Sequence, residues 1–295
     1  MGPDADLEGR NLGNDFTVKD GWRMYHGQTV PGFPYHPHRG FETITIVNEG
    51  FCDHSDSLGA AGRFGQGDVQ WMTAGRGVQH SEMFPLLKRN AANPLELFQI
   101  WLNLPRDAKF VEPHFKMLWH EEIPIIREKN VEIKVIAGRW KDQQAPDPTP
   151  DSWANDANHH VAIWNIHIEP NGKLILPRME TKVNRSLYFY EGNTLLLDDQ
   201  SLESGQGADL EAKFETSIQN GDKKSHLLVL QGKPILEPVV QYGPFVMNSQ
   251  QEIEKAMEDY RLTRFGGWPW PYPDQVHERE KGRFALYPDG KLIEK

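Results

Sequence analysis

The chain has 295 residues, 38% of them hydrophobic and 11% aromatic, and a formal net charge of −10. That length exceeds the usual single domain and asks for two packed domains or one large β barrel. The acidic balance, with no basic run longer than two residues, argues against direct binding to nucleic-acid phosphates, and without an apolar run of about 18 residues no membrane span is expected.

The polar, acidic stretch from Met1 to Asp20 lacks the apolar core of a secretion signal and reads as loosely structured. A single cysteine, Cys52, excludes an intrachain disulfide and suits a reducing cytoplasm, where the Asn184-Arg185-Ser186 sequon would stay unused. Trp22 to Tyr25 predicts a short strand, and a Gly- and Pro-rich approach leads to the first histidine. The β-branched run Thr43-Ile44-Thr45-Ile46-Val47 predicts a strand over 41–47. Turns at Asn48-Glu49-Gly50, 59–62 and 66–68 separate further strands near 51–57 and 69–73. After the Gly75-Arg76-Gly77 kink comes a strand carrying His80 and Glu82. Leu95 to Leu104 is apolar on both parities, which predicts a strand buried on both faces.

A second series follows, with strands over 131–136, 161–168, 173–176, 187–190, 194–197, 213–218 and 227–230, beyond a Pro-rich loop at 143–156. Short, regularly spaced strands with Gly-rich turns predict an all-β protein of jelly-roll sandwiches or barrels, and two series suggest a duplicated domain. Ser249-Gln250-Gln251-Glu252 reads as a capping box that starts a short C-terminal helix. Its apolar stripe is Ile253, Ala256, Met257 and Tyr260, and Gly266-Gly267 should end it. Trp268-Pro269-Trp270-Pro271-Tyr272-Pro273 cannot continue a helix and reads as an aromatic strap packed on its own domain.

The chemistry concentrates in His36-Pro37-His38 and His80-Ser81-Glu82. On a strand, residues i and i+2 share a face, so each pair is a two-pronged clamp, and two clamps on neighbouring strands would close on one ion. Three imidazoles and a carboxylate suit one divalent or trivalent transition metal, iron first, with copper, nickel or zinc as alternatives. Glu42 shares parity with His36 and His38 and competes with Glu82 as the carboxylate ligand, unless Pro37 and Gly40 break the parity. Phe41, Trp71, Met72, Phe98 and Trp101 are candidates for an apolar pocket wall. His159, His160, His167 and His226 read as ordinary surface or core histidines.

The segments His36 to Thr43, Gly67 to Gly77, and His80-Ser81-Glu82-Met83, with Gly232-Lys233-Pro234-Ile235 and Tyr242 to Asn248 further on, resemble the pirin family of the cupin superfamily. The resemblance covers roughly residues 30 to 262; the short N-terminal stretch and the segment after Trp268 depart from it. It implies a bicupin: an N-terminal cupin barrel with the metal (1–130), a C-terminal cupin barrel without it (131–247), and a helix with a tail (248–295). It also implies that His36, His38, His80 and Glu82 are the ligands and places Glu42 outside the set. Some pirins resemble flavonol dioxygenases, which open quercetin with O₂ and release carbon monoxide. The implied activity is thus an oxidoreductase of the quercetin 2,3-dioxygenase type, with Glu82 as general base. The alternative is a metal- or redox-dependent regulator acting through protein partners.

Overall fold

The computed structural model describes residues 7, 9–14, 17–24, 26, 30–180 and 182–295. Of the expected strand at 22–25, Arg23–Met24 is seen and Tyr25 lies outside the described residues, as does much of the Met1 to Asp20 stretch. The described residues are mostly β-strand, with one short α-helix and a few 3-10 turns, and the chain divides into two compact units, residues 1–120 with 237–295, and residues 121–236.

In the first unit, eight strands follow one another: β1 (Gly32–His38), β2 (Phe41–Glu49), β3 (Phe51–Asp56), β4 (Ala61–Gly65), β5 (Val69–Thr73), β6 (Val78–Met83), β7 (Glu96–Asn103) and β8 (His114–Leu118). They form two sheets, one ordered β8-β5-β2-β7 and the other β4-β3-β6-β1, the latter extended beyond β4 by the hairpin Phe284–Leu286 and Leu292–Glu294. The β-branched residues of β2 fit a pleated surface, and every residue from Phe41 to Val47 is buried. β7 is half-buried along its length rather than sealed on both faces, and Trp101 is 40% exposed. One face of β7 borders an open cavity, which is why its apolar residues were misleading.

The second unit has a six-stranded sheet and a four-stranded sheet, again antiparallel. The first contains β9 (Ile125–Glu128), β10 (Val131–Ala137), β11 (Ala162–Ile168), β13 (Asn184–Glu191), β16 (Gly207–Leu210) and β18 (Ser225–Gly232); the second contains β12 (Lys173–Leu176), β14 (Thr194–Leu197), β15 (Gln200–Glu203) and β17 (Thr216–Asn220). Burial alternates along β10, β13 and β17, the signature of a sheet with one inward face. The inward side chains, among them Val135, Trp164, Leu176, Leu187, Phe189, Ile218 and Val229, fill this interior with hydrocarbon. Lys213 to Glu215, expected to open a strand, instead lie in a turn before β17.

The helix spans Gln250–Thr263, with the Ser249 hydroxyl accepting from Glu252 N–H and the Glu252 carboxylate accepting from Asn248 N–H at 2.8 Å. Ile253 and Ala256 are buried, whereas Met257 is 38% exposed. The helix stops before Gly266, because Arg264 itself takes the left-handed conformation (φ 51°) and its N–H caps the Tyr260 carbonyl. The strap after it packs on the first unit: Tyr35 N–H donates to the Pro273 carbonyl at 2.8 Å and Trp270 Nε1–H to the Asp56 carbonyl at 2.8 Å. Beyond it, buried Arg63 pairs with Asp53 and donates to the carbonyls of His277, Glu278, Arg279 and Lys281.

Candidate metal centre

β1 and β6 lie side by side and antiparallel, with His36 opposite His80 and His38 opposite Val78. Alternation of side chains then turns both clamps into the interior of the first unit. The ring centroids of His36, His38 and His80 lie 4.6 to 4.9 Å apart, and one nitrogen from each falls within 4.8 Å of the others. Glu82, on β6, lies beside this cluster, with Oε2 3.7 Å from His80 Nε2, although the group gathered within 4.8 Å consists of the three histidines.

Hydrogen bonds orient these rings. His36 Nδ1 meets the Pro34 carbonyl at 2.9 Å, and His38 Nδ1 meets that of Pro244 at 3.4 Å. A carbonyl only accepts, so each ring carries its proton on Nδ1 and presents a bare Nε2. Burial, aided by the neighbouring imidazoles, holds His38 and His80 well below the usual histidine pKa, so both rings are neutral with lone pairs available at pH 7. His38 Nε2 and both nitrogens of His80 are buried without a hydrogen bond. Each such group costs about 1–3 kcal/mol. One such nitrogen from His38 and one from His80, beside a carboxylate, fit the needs of a borderline-soft cation, and coordination would offset their cost.

The two carboxylates separate cleanly. Glu82 Oε1 accepts from the Thr45 hydroxyl at 3.0 Å and Oε2 from the Gln99 amide at 2.7 Å. Glu42 lies on the other face of β2, its Oε1 accepting from Trp71 Nε1–H at 3.0 Å and from the Thr73 hydroxyl at 2.9 Å. Gly40, at φ 84°, ends β1 and starts β2 in the opposite sheet, so the parity count from His38 does not carry through to Glu42.

Above the cluster opens a cavity of about 670 Å³, lined by Arg23, Phe33, Phe84, Leu95, Leu97, Gln99, Trp101 and Pro244 with His36, His38 and Glu82. That volume is in the range of roughly 300–1,000 Å³ typical of small-molecule sites. Of the five aromatic or apolar residues expected on its wall, only Trp101 lines it. Phe41 stands behind, its ring 4.3 Å from Trp101 and 5.1 Å from His38, and Trp71 and Met72 are core. Phe98 points away from the face of β7 that bears Leu97, Gln99 and Trp101. The site roles of Gln99 and Thr45 are not legible in the sequence, where Gln99 is one of three polar residues in the run 95–104 and Thr45 reads only as a strand residue.

The family profile described as Pirin matches residues 8–102, and that described as Pirin C-terminal cupin domain matches residues 163–266. The chain belongs to the pirin family. A provisionally named quercetin 2,3-dioxygenase of Pseudomonas aeruginosa is 37% identical over 236 residues, covering 79% of each chain. Human pirin is 34% identical over 247 residues, covering 82% of this chain and 80% of its own. A crystal structure of quercetin 2,3-dioxygenase from Acinetobacter baumannii superposes with a TM-score of 0.72 at 32% identity, covering 82% of both chains. The fold of this pirin is therefore the bicupin, and its candidate metal site is the His36, His38, His80 cluster.

Proposed function

We propose that this pirin is a metal-dependent dioxygenase of the flavonol (quercetin 2,3-dioxygenase) type, with His36, His38, His80 and Glu82 as the metal ligands. The observation that carries the reading is the His36, His38 and His80 cluster, with unsatisfied buried nitrogens on His38 and His80, beside an open, largely apolar cavity that His36, His38 and Glu82 line. The names of the Pseudomonas and Acinetobacter relatives support the substrate class.

Bound there, the metal would supply a Lewis acid and, for iron, copper or nickel though not for zinc, a redox-active centre for O₂; iron comes first. The residues do the rest. Phe33, Phe84, Leu95, Leu97 and Trp101 offer flat apolar walls to a planar polyphenol and exclude water from it. Glu82 faces the cavity and would take the proton of the flavonol 3-hydroxyl. Gln99 steadies that base: its amide donates to Glu82 at 2.7 Å while its oxygen accepts from Trp101 Nε1–H at 3.1 Å, coupling wall and base.

Metal analysis of the purified chain comes first, against His38→Ala. O₂ uptake and carbon monoxide release are then followed on adding quercetin to iron- or copper-loaded protein, against His80→Ala. About one ion per chain in the wild type, with turnover lost in His80→Ala, is the expected result. Less than about 0.2 ion per chain, unchanged in His38→Ala, would remove the metal centre, since losing a direct ligand should cost more than the 10–100-fold of an indirect contact. Metal without turnover would favour the regulatory reading through protein partners.

A further inference from the structure

Beside the candidate ligands lies a second polar pair that neither the ligand set nor the cavity uses. β3 runs antiparallel to β6, with Asp56 opposite His80 and His54 opposite Glu82, so both side chains turn into the same interior. Both are fully buried. Asp56 is held by the backbone: its Oδ1 accepts the N–H groups of Leu58 and Ala60, each at 2.9 Å. Trp270 of the strap pins its carbonyl, and its Oδ2 lies 3.1 Å from His54 Nε2. A carboxylate oxygen accepts, so the Oδ2 contact assigns the donating N–H to His54 Nε2. The His54 ring is also clamped by stacking on Phe115, 5.1 Å between centroids and 19° between planes.

That tautomer leaves His54 Nδ1 a bare acceptor, and it is buried with no hydrogen bond. The His80 ring lies 5.5 Å away, and its Nδ1 is buried and unbonded too. His80 Nε2 is the nitrogen on the Glu82 side. With Nε2 given to an ion, His80 must keep its proton on Nδ1 and needs an acceptor for it. An obligatory donor and an empty acceptor thus sit on adjacent buried rings.

Resting on the reading of His80 as a ligand, we infer that Asp56 and His54 form a relay that orients His80 and sets its tautomer. The Asp56 carboxylate accepts His54 Nε2–H, and His54 Nδ1, unbonded in this structure, would accept His80 Nδ1–H when His80 Nε2 holds an ion. His54 is a positioning residue: it acts through His80 and strengthens its donor nitrogen, as carboxylate-backed histidines do in other metal sites. His36 and His38 use backbone carbonyls for the same purpose; His80 is the ligand histidine whose support comes from a side chain.

The test uses the full chain, stripped of metal and titrated with Co(II) against a competing chelator, in four forms: wild type, Asp56→Asn, His54→Phe and His54→Gln. Asp56→Asn is nearly isosteric, but its amide would face His54 and move the proton to Nδ1, setting donor against donor. Co(II) affinity should fall 10–100-fold in Asp56→Asn and His54→Phe and recover towards wild type in His54→Gln, whose amide oxygen can accept. The proton spectrum of the Co(II) form should show a slowly exchanging ring N–H, lost in His80→Ala and fast-exchanging in Asp56→Asn and His54→Phe. Wild-type affinity, within threefold, and an unchanged N–H in the folded variants would overturn the relay. Should His54→Phe fail to fold by circular dichroism, Asp56→Asn and the wild-type N–H decide: exchange at the free-solvent rate overturns it. A wild type that binds no Co(II) would instead overturn the metal reading, and the relay with it.

Discussion

Glu42 and Glu82 are chemically the same side chain, both buried, and their surroundings assign them different work. Glu42 is an acceptor for Trp71 and Thr73, locked within the β2–β5 sheet. Glu82 opens on the cavity beside His80. Glu42→Gln should therefore leave metal content unchanged while lowering stability by about 1–3 kcal/mol, because a charged acceptor of two buried donors is weakened. Glu82→Gln should differ in losing metal and turnover, while its melt falls by a similar amount because Glu82 also accepts two donors, from Thr45 and Gln99. Metal analysis and thermal melts of the two variants check this, and equal metal loss in both would contradict the assignment.

The turn between β1 and β2 decides how these strands meet. Gly40 takes φ 84°, and a Cβ there would stand 2.1 Å from the Val246 carbonyl oxygen. Lys109 completes the junction, its buried ammonium donating to the Gly40 carbonyl at 2.8 Å, Asn103 Oδ1 at 2.7 Å and the Val246 carbonyl at 3.0 Å. Gly40→Ala meets both a strained φ and backbone it cannot displace. It should cost at least about 1–3 kcal/mol and, by shifting His38, weaken metal binding as well. Denaturant unfolding and a metal titration measure the two effects; an unaltered midpoint would contradict the steric argument. Such a junction is invisible in sequence, since Gly40 reads there only as a bend.

At the scale of the whole molecule, the chain leaves the first unit near residue 120 and rejoins it at Glu237. The returning segment supplies the Pro244 carbonyl to His38, the Trp270 contact to Asp56 and the strand that pairs with β4. The second unit carries its own pH sensitivity. Burial, with stacked His226 next in effect, lowers His167 from 6.5 to about 4. The native state thus refuses a proton that the unfolded chain accepts between those values, so stability is full above pH 6.5 and falls as the pH drops towards 4. With the side chain 32% exposed, the loss should be on the order of 1 kcal/mol. His167→Gln should flatten the melting temperature between pH 6.5 and 4; an identical slope would place the sensitivity elsewhere.

Two imidazoles at i and i+2, a second clamp downstream, β-branched runs and Gly-rich turns already point to an all-β chain of sandwiches or barrels with a candidate metal site, because strand alternation and turn chemistry are local properties that residue order encodes. Which carboxylate joins the histidines, which aromatics line the cavity and what supports His80 depend instead on cross-strand register and on a bend at one glycine. Those quantities arise only when strands far apart in the chain are laid side by side, where a shift of one residue turns every side chain to the opposite face.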